Sequence, residues 1–233
     1  MEKGDIIWLD YDGWLIGARP EEDELFETTN ESLAKEKKLY DEKIVYKPKP
    51  IIVGIERLIK GLDKSILSSE IGKEYTIEIL PNDAYGERDT KLVELHSKHE
   101  IMRLPEFRMK EFEPYIGMEI ILKNRVGRIV GITAGRVRID FNNRFAGRKL
   151  RYKYVIKSRA ESLKDKVEAI ITMHYGKTEG FFIEVSENEA KIFLPDTCKF
   201  DPVWFAMKAK IVDDLKEYCG LTKLNFIEEY KKL

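Results

Sequence analysis

Cysteine, histidine and tryptophan are scarce in this chain of 233 residues, with two, three and three copies. The cysteines, Cys198 and Cys219, lack the Cys-x-x-Cys spacing of a redox or zinc site, and isolated thiols in a chain without an export signal are expected to stay free. His96 and His99 sit three apart, close enough to share a metal on one helix, but no cysteine or third histidine stands near them. They are expected at the surface, and neither a metal nor a cofactor is expected. His174 closes an apolar helical run and is expected to be a packed or helix-terminal residue.

Long apolar runs are missing as well. Nothing approaches the ~18 residues of a membrane span, and the opening MEKGDIIWLD lacks the basic and then apolar layout of a signal peptide. The cytoplasm is therefore the expected compartment, with no membrane partner. Gly-x-Gly-x-x-Gly, the P-loop and the nucleophile elbow are absent too, so the usual sequence support for hydride, phosphoryl or acyl transfer is gone.

What the chain has in quantity is charge. Charged residues make up 36% and apolar residues 43%, enough to fill small cores under a solvated exterior. The length suits two or three domains. Net charge is only −1, yet residues 1–87 carry 12 Lys/Arg against 20 Asp/Glu, while 117–157 carry 11 against 2, a basic block.

Patterning divides the chain further. Ile6, Trp8 and Asp10 alternate with Ile7, Leu9 and Tyr11 at the period of a strand, and Asp12-Gly13 reads as a turn. IERLIKGLDKSIL places Ile55, Leu58, Ile59, Leu62 and Ile66 on one helical face, so a helix over 55–67 is predicted. MEIILKN, VGRIVGIT and RVRIDF are short strand-like pieces separated by glycines, as in a small all-β unit, and RKLRYKYVIKSR reads as one long strand with Leu150, Tyr152 and Tyr154 on a face. After Ser158 the pattern gives a helix, two strands around a turn, and a helix opened by Asp201-Pro202 and closed by Gly220. LTKLNFIEEY ends the chain as a strand or short helix.

The remaining residues with chemical interest are aromatic and aliphatic: Tyr11, Phe26 in LFETT, Ile51, Ile52 and Ile55 in IIVGI, Tyr85 at the tip of a loop, and Tyr152. Taken singly, each is an ordinary core residue. In order, the segments DYDG, LFETT, IIVGIERLIKG, IGKEYTIEILPNDAYGE and NNRFAGRKLRY resemble the FKBP-type peptidyl-prolyl isomerases over residues 4–86 and about 140–157. The last segment is similar to the family's Asn-His-Pro-Leu-Ala-Gly-Lys-x-Leu-x-Phe signature. About 55 residues between Gly86 and NNRFAG stand where short members have a brief flap, which resembles the insert-in-flap chaperone domain of SlyD-like and long archaeal members. Glu27 replaces the family's Asp, Asn143 its His, Arg144 its Pro, and Ile55 a Trp at the pocket floor; an aliphatic floor is usual in the SlyD-like type. The His-rich tail of that type is absent, and nickel is not expected.

The fold the resemblance implies is α+β: a half-barrel, an antiparallel sheet wrapped on one helix, from residues 1–86 and 140–157. A small β domain is inserted at 87–139, and a C-terminal α+β domain follows at 158–233. The implied activity is rotation about X-Pro bonds in unfolded or partly folded polypeptides. Tyr11, Phe26, Glu27, Ile52, Ile55, Tyr85 and Tyr152 are the implied catalytic residues, with Glu27 hydrogen-bonded to Tyr11, and Ile51 joins them in binding substrate. In the insert, Ile101, Met102, Leu104, Phe107, Met109 and Phe112 form a candidate surface for unfolded chain. The bulky apolar content of VWFAMKAKIVDDLKEYC points to homodimerisation through the C-terminal domain.

Alternatives stay open. The insert can be a spacer, and the protein a holdase without catalysis. The basic 117–157 block can instead bind nucleic acid through Arg125, Arg128, Arg136, Arg138, Arg144, Arg148 and Arg151. That reading is weakened because those arginines alternate with aliphatics and few aromatics are interleaved for base stacking.

Overall fold

The computed structural model describes residues 1–108 and 113–230. In chain order the elements are β1 (Ile6–Leu15), β2 (Glu24–Thr28), α1 (Glu31–Glu36), β3 (Lys49–Ile52), α2 (Lys60–Leu67), β4 (Glu74–Ile79), β5 (Val93–Ser97), α3 (Lys98–Ile101), α4 (Pro105–Arg108), β6 (Glu119–Leu122), β7 (Arg125–Ile132) and β8 (Arg136–Asp140). They continue as β9 (Leu150–Arg159), α5 (Leu163–Tyr175), β10 (Phe182–Val185), β11 (Glu189–Phe193), α6 (Pro202–Cys219) and β12 (Lys223–Ile227). Two compact units result: Met1–Leu80 with Lys149–Leu233, and Pro81–Arg148. The α+β class read from the sequence is the class observed.

In the first unit β1 is the central strand. Its whole length pairs antiparallel with β9, from Ile7↔Arg159 to Leu15↔Leu150. The opposite edge of β1 is shared: β3 takes Ile6 to Leu9 and β2 takes Asp12 to Leu15, both antiparallel. β4 closes the far side against β9. Helix α2 lies on this sheet through buried Leu62 and Ile66. Its Gly61 is obligatory at the contact, because a Cβ there would meet Ile79 Cγ2 at 2.5 Å.

The helix predicted over 55–67 is corrected to Lys60–Leu67. Glu56 has φ +58° and Gly54 φ +76°, left-handed values that no helix tolerates. The carboxylate of buried Asp63 accepts the N–H of Gly54 at 2.8 Å and of Glu56 at 3.3 Å, so the preceding loop is clipped onto the helix instead of joining it.

A second core lies where Ile6, Ile52 and Ala160 meet the C-terminal elements. Val167, Ile170 and Ile171 of α5, Ile192 of β11 and Trp204, Ile211 and Leu215 of α6 are all buried there. Ser162 and Asp165 form a capping box at the start of α5, and Gly176 ends it with φ +86°. Asp201 caps α6 by accepting the Val203 N–H, with Pro202 in the first turn. The terminal segment is a strand: β12 runs parallel to β11, which pairs antiparallel with β10.

The second unit is a four-stranded antiparallel sheet, ordered β5-β8-β7-β6. Lys123 and Asn124, both with positive φ, make the two-residue turn between β6 and β7 that matches the twist of a hairpin. Ile101, Phe107, Ile120, Leu122, Ile129, Val137 and Ile139 form its core.

Candidate active site

Three neighbouring strands, β2, β1 and β9, bring the aromatic residues of the first unit together. In register, Gly13 of β1 stands opposite Glu27 on one side and Tyr152 on the other. Phe26 is the extra residue of a β-bulge, since Gly13 pairs with Glu27 and Trp14 with Leu25. A bulge re-aims side chains in this way without breaking the sheet. Because Gly13 has no side chain, Phe26 and Glu27 occupy the space above it: a Cβ there would lie 2.8 Å from Phe26 Cζ and 2.9 Å from Glu27 Cγ.

Glu27 then reaches over Gly13 as the hub of the cluster. The Tyr152 hydroxyl donates to Oε1 at 2.5 Å and the Tyr11 hydroxyl to Oε2 at 3.4 Å. The ring of Tyr152 lies 5.9 Å from Phe26 at 85° and 6.1 Å from Tyr11 at 42°. Edge-to-face contact with Phe26 and the short bond to Glu27 thus fix the Tyr152 ring, while Tyr11 is held by a longer, weaker bond to the same carboxylate. The Tyr152 contact is shorter than the Tyr11 contact that the resemblance implied.

The isoleucines sit on the neighbouring strand and loop. Ile52 is buried in the core shared with α5 and α6, and Ile55 packs partly buried against the same core. Ile51 and Ile52 line a cavity of about 510 Å³, together with Arg57, Leu58, Met173 and His174. At its wall the Arg57 guanidinium donates with both terminal nitrogens to the carboxylate of Asp214, and His174 Nε2 lies 2.6 Å from Asp214 Oδ2. The Asp214 side chain is only 4% exposed. Burial pushes its carboxyl up, but the hydrogen bonds from Arg57 and His174 outweigh burial and hold it below the usual carboxylate range. This network joins residues 157 positions apart and was not read from the sequence. Its one signal is the spacing of Asp214 with Trp204, Ile211 and Leu215, a carboxylate on the buried face of α6.

Tyr85 belongs to the second unit. Gly86, with φ +77°, turns the chain there and returns its N–H to Pro81 O at 2.7 Å. The Tyr85 ring, 37% exposed, lies 5.0 Å from buried Phe145. The departures at 143 and 144 have local roles: the Asn143 side chain accepts the Phe145 N–H at 2.9 Å, and the Arg144 guanidinium stands 4.3 Å over the Phe145 ring.

The candidate client surface of the insert is corrected in part. Ile101 and Phe107 are 0% and 4% exposed, interior residues of a core too small to spare them, and Met102 and Leu104 pack against that core. Met109 and Phe112 lie outside the described residues. His96 is not at the surface: it faces the core side of β5 opposite Val137, 10% exposed, with Nε2 3.0 Å from Glu94 and Nδ1 3.3 Å from Glu100. His99 is exposed. Among the described residues no group of three or more His, Cys, Asp or Glu is arranged to hold a metal, and no helix is long and apolar enough to cross a membrane.

Known families match this chain in three segments. The profile described as FKBP-type peptidyl-prolyl cis-trans isomerase matches residues 1–98, that of the FKBP26 IF domain 100–145, and that of the FKBP26 C-terminal domain 163–231. A short-type peptidyl-prolyl cis-trans isomerase of Methanocaldococcus jannaschii is 34% identical over 163 residues, covering 68% of this chain and 92% of that protein. The FKBP-type isomerase SlyD of Escherichia coli K12 is 28% identical over 133 residues, 55% of this chain and 64% of the relative. SlyD of Helicobacter pylori J99 is 23% identical over 134 residues, 55% of this chain and 68% of the relative. The ring cluster around Glu27 therefore stands in an FKBP-type isomerase domain, and the chain belongs to the FKBP-type peptidyl-prolyl cis-trans isomerase family.

Proposed function

We propose that the protein rotates X-Pro bonds in unfolded or partly folded polypeptides, and that its insert holds those chains while the bond turns. The observation that carries the reading is the Tyr11, Phe26 and Tyr152 cluster locked by Glu27. X-Pro rotation faces a barrier of roughly 18–20 kcal/mol, because the twisted amide loses its resonance. Nothing has to be cleaved, so neither nucleophile nor base is needed.

Two effects supply the acceleration. Rings and branched aliphatics exclude water around the prolyl ring, which favours the twisted, less dipolar amide over the planar one. Hydrogen-bond donors hold the chain in the turn that passes through the twist. β3 pairs only with β1 among the described residues, and Val53 N–H is engaged by Asp5 O, so alternation directs the Ile52 N–H to the open edge, where it can meet a substrate carbonyl. Tyr85 keeps the role the resemblance gives it, a hydroxyl donor to a substrate carbonyl. A ~1000-fold acceleration needs only about 4 kcal/mol, within reach of burial and two hydrogen bonds.

We assign isomerisation to 1–86 with 140–157, chain capture to 87–139 and homodimerisation to 158–233, in the cytoplasm. Support for the dimer is the exposure of Phe200 at 84%, Phe205 at 54% and Val203 at 53%. A single-chain mass in solution would refute that assignment.

A protease-coupled assay of a proline peptide tests the isomerase, with wild-type acceleration and its loss in Tyr85→Ala expected. Refolding of a proline-limited protein with and without the insert tests capture: equal rates with both forms would remove it.

A further inference from the structure

The sheet of the second unit has two unlike faces. One carries the core residues Ile120, Leu122, Ile129, Val137 and Ile139. On the other, Ile121 and Val126 stand directly opposite each other in the β6–β7 register and are 56% and 62% exposed. Further along the same face, Leu95, 51% exposed, is paired with Arg138, and Arg128 is paired with both Glu119 and Asp140. Aliphatics and arginines thus alternate across an open surface.

The arginines of the chain fall into two groups. Arg57, Arg88, Arg125, Arg151 and Arg159 each hold a carboxylate. Arg128, Arg136, Arg138 and Arg148 make no ion pair among the described residues. The acids on that face compensate them only in part, because Asp140 is already taken by Arg88 at 2.6 Å and Glu119, opposite Arg128, makes no ion pair among the described residues. Unpaired like charges raise the energy of the free surface and make it attractive to a partner of opposite sign. A cavity of about 720 Å³ continues from this face, with Val126, Arg128, Arg144 and Arg148 in its wall beside the carboxylates Glu119 and Asp140.

We propose that this face and its cavity dock extended polypeptide segments that mix acidic with apolar side chains, a proposal that rests on the capture reading above and names its substrate class. The carboxylates of such a segment would pair with Arg128, Arg138 and Arg148 while its apolar residues cover Ile121 and Val126. Single-stranded RNA would meet the same charges, but the sheet face offers it aliphatic rather than aromatic platforms, and base stacking needs the latter.

Fluorescence anisotropy of the full chain decides the matter, using two labelled, proline-free peptides with identical leucine and isoleucine positions. One carries glutamate and the other lysine between them, and a single-stranded RNA of similar length is the third probe. The acidic peptide is expected to bind roughly tenfold or more tightly than the basic one, with the preference shrinking as salt is added. Arg128→Gln with Arg138→Gln is expected to abolish the preference, and Arg128→Lys with Arg138→Lys to retain it, which separates charge from folding. Equal binding of both peptides would overturn this proposal and leave capture standing. No binding of either would remove both, and RNA binding tighter than the acidic peptide would assign the face to nucleic acid instead.

Discussion

The Tyr152 hydroxyl donates to Oε1 of Glu27 at 2.5 Å, and the two residues face each other across Gly13. An aspartate would be one methylene shorter. The glutamate reaches from β2 over a position of β1 that has no side chain, and one carboxylate accepts from Tyr11 of β1 and Tyr152 of β9.

Gly13 is therefore as much part of the site as the rings. Gly13→Ala places a methyl group under 3 Å from Phe26 and Glu27. Overpacking of this kind costs about 1–3 kcal/mol. Calorimetry should show a lowered Tm, and proline-peptide turnover should fall more than in an alanine substitution at Gly135, where a Cβ meets nothing within 4 Å.

Asp214 links Arg57 of the loop before α2 to His174 of α5. Asp214→Ala leaves the Arg57 guanidinium and the His174 ring without the buried carboxylate that joins them, and a loss of about 3 kcal/mol is expected, reduced to the extent that the half-exposed Arg57 is solvated. Asp214→Asn keeps the shape and should cost less. Urea unfolding curves of the two variants measure the difference.

The same carboxylate sets an acid limit. Its folded pKa lies below the ordinary value of 3.8, so the folded state binds the proton more weakly than the unfolded chain. Its stabilisation is complete above that ordinary value and is lost as pH falls through the lower folded one. Stability measured from neutral pH downward should drop less steeply in Asp214→Asn than in the wild type over that acid interval.

Cys219 is a partly buried thiol on α6 whose pKa burial pushes up to about 11. Thiolate is the reactive form. At neutral pH the folded protein should react slowly with a thiol-specific reagent and much faster in denaturant; rapid labelling of the native chain would show that α6 opens.

Much of the strand framework was legible because alternation in β1, β9 and the insert is regular, and Asp201-Pro202 and Gly220 mark the ends of α6 by local chemistry alone; the turn expected at Asp12-Gly13 is corrected, since both residues are paired inside β1, which runs on to Leu15. The start of α2 was not. Ile55, Leu58 and Ile59 continue the helical spacing of Leu62 and Ile66, but Asp63 binds the backbone of Gly54 and Glu56, a tertiary clip that periodicity cannot register. The aromatic cluster was legible as a list of residues, whereas its geometry depended on a bulge at Phe26 and a strand register that placed Gly13 between Glu27 and Tyr152. Ile101 and Phe107 belong to the core and not to the candidate client surface, and composition alone does not say which apolar residues a small core requires.

The most direct test is the exchange rate between cis and trans forms of a short proline peptide, followed by NMR at catalytic protein concentration. The wild type should accelerate exchange. Tyr11→Ala, which removes a half-buried ring and keeps Glu27 and Tyr152 paired, should lower that acceleration by about tenfold, some 1.4 kcal/mol. A wild-type protein that leaves the peptide at its uncatalysed rate, or a Tyr11→Ala variant as fast as the wild type, would contradict a prolyl site at this cluster.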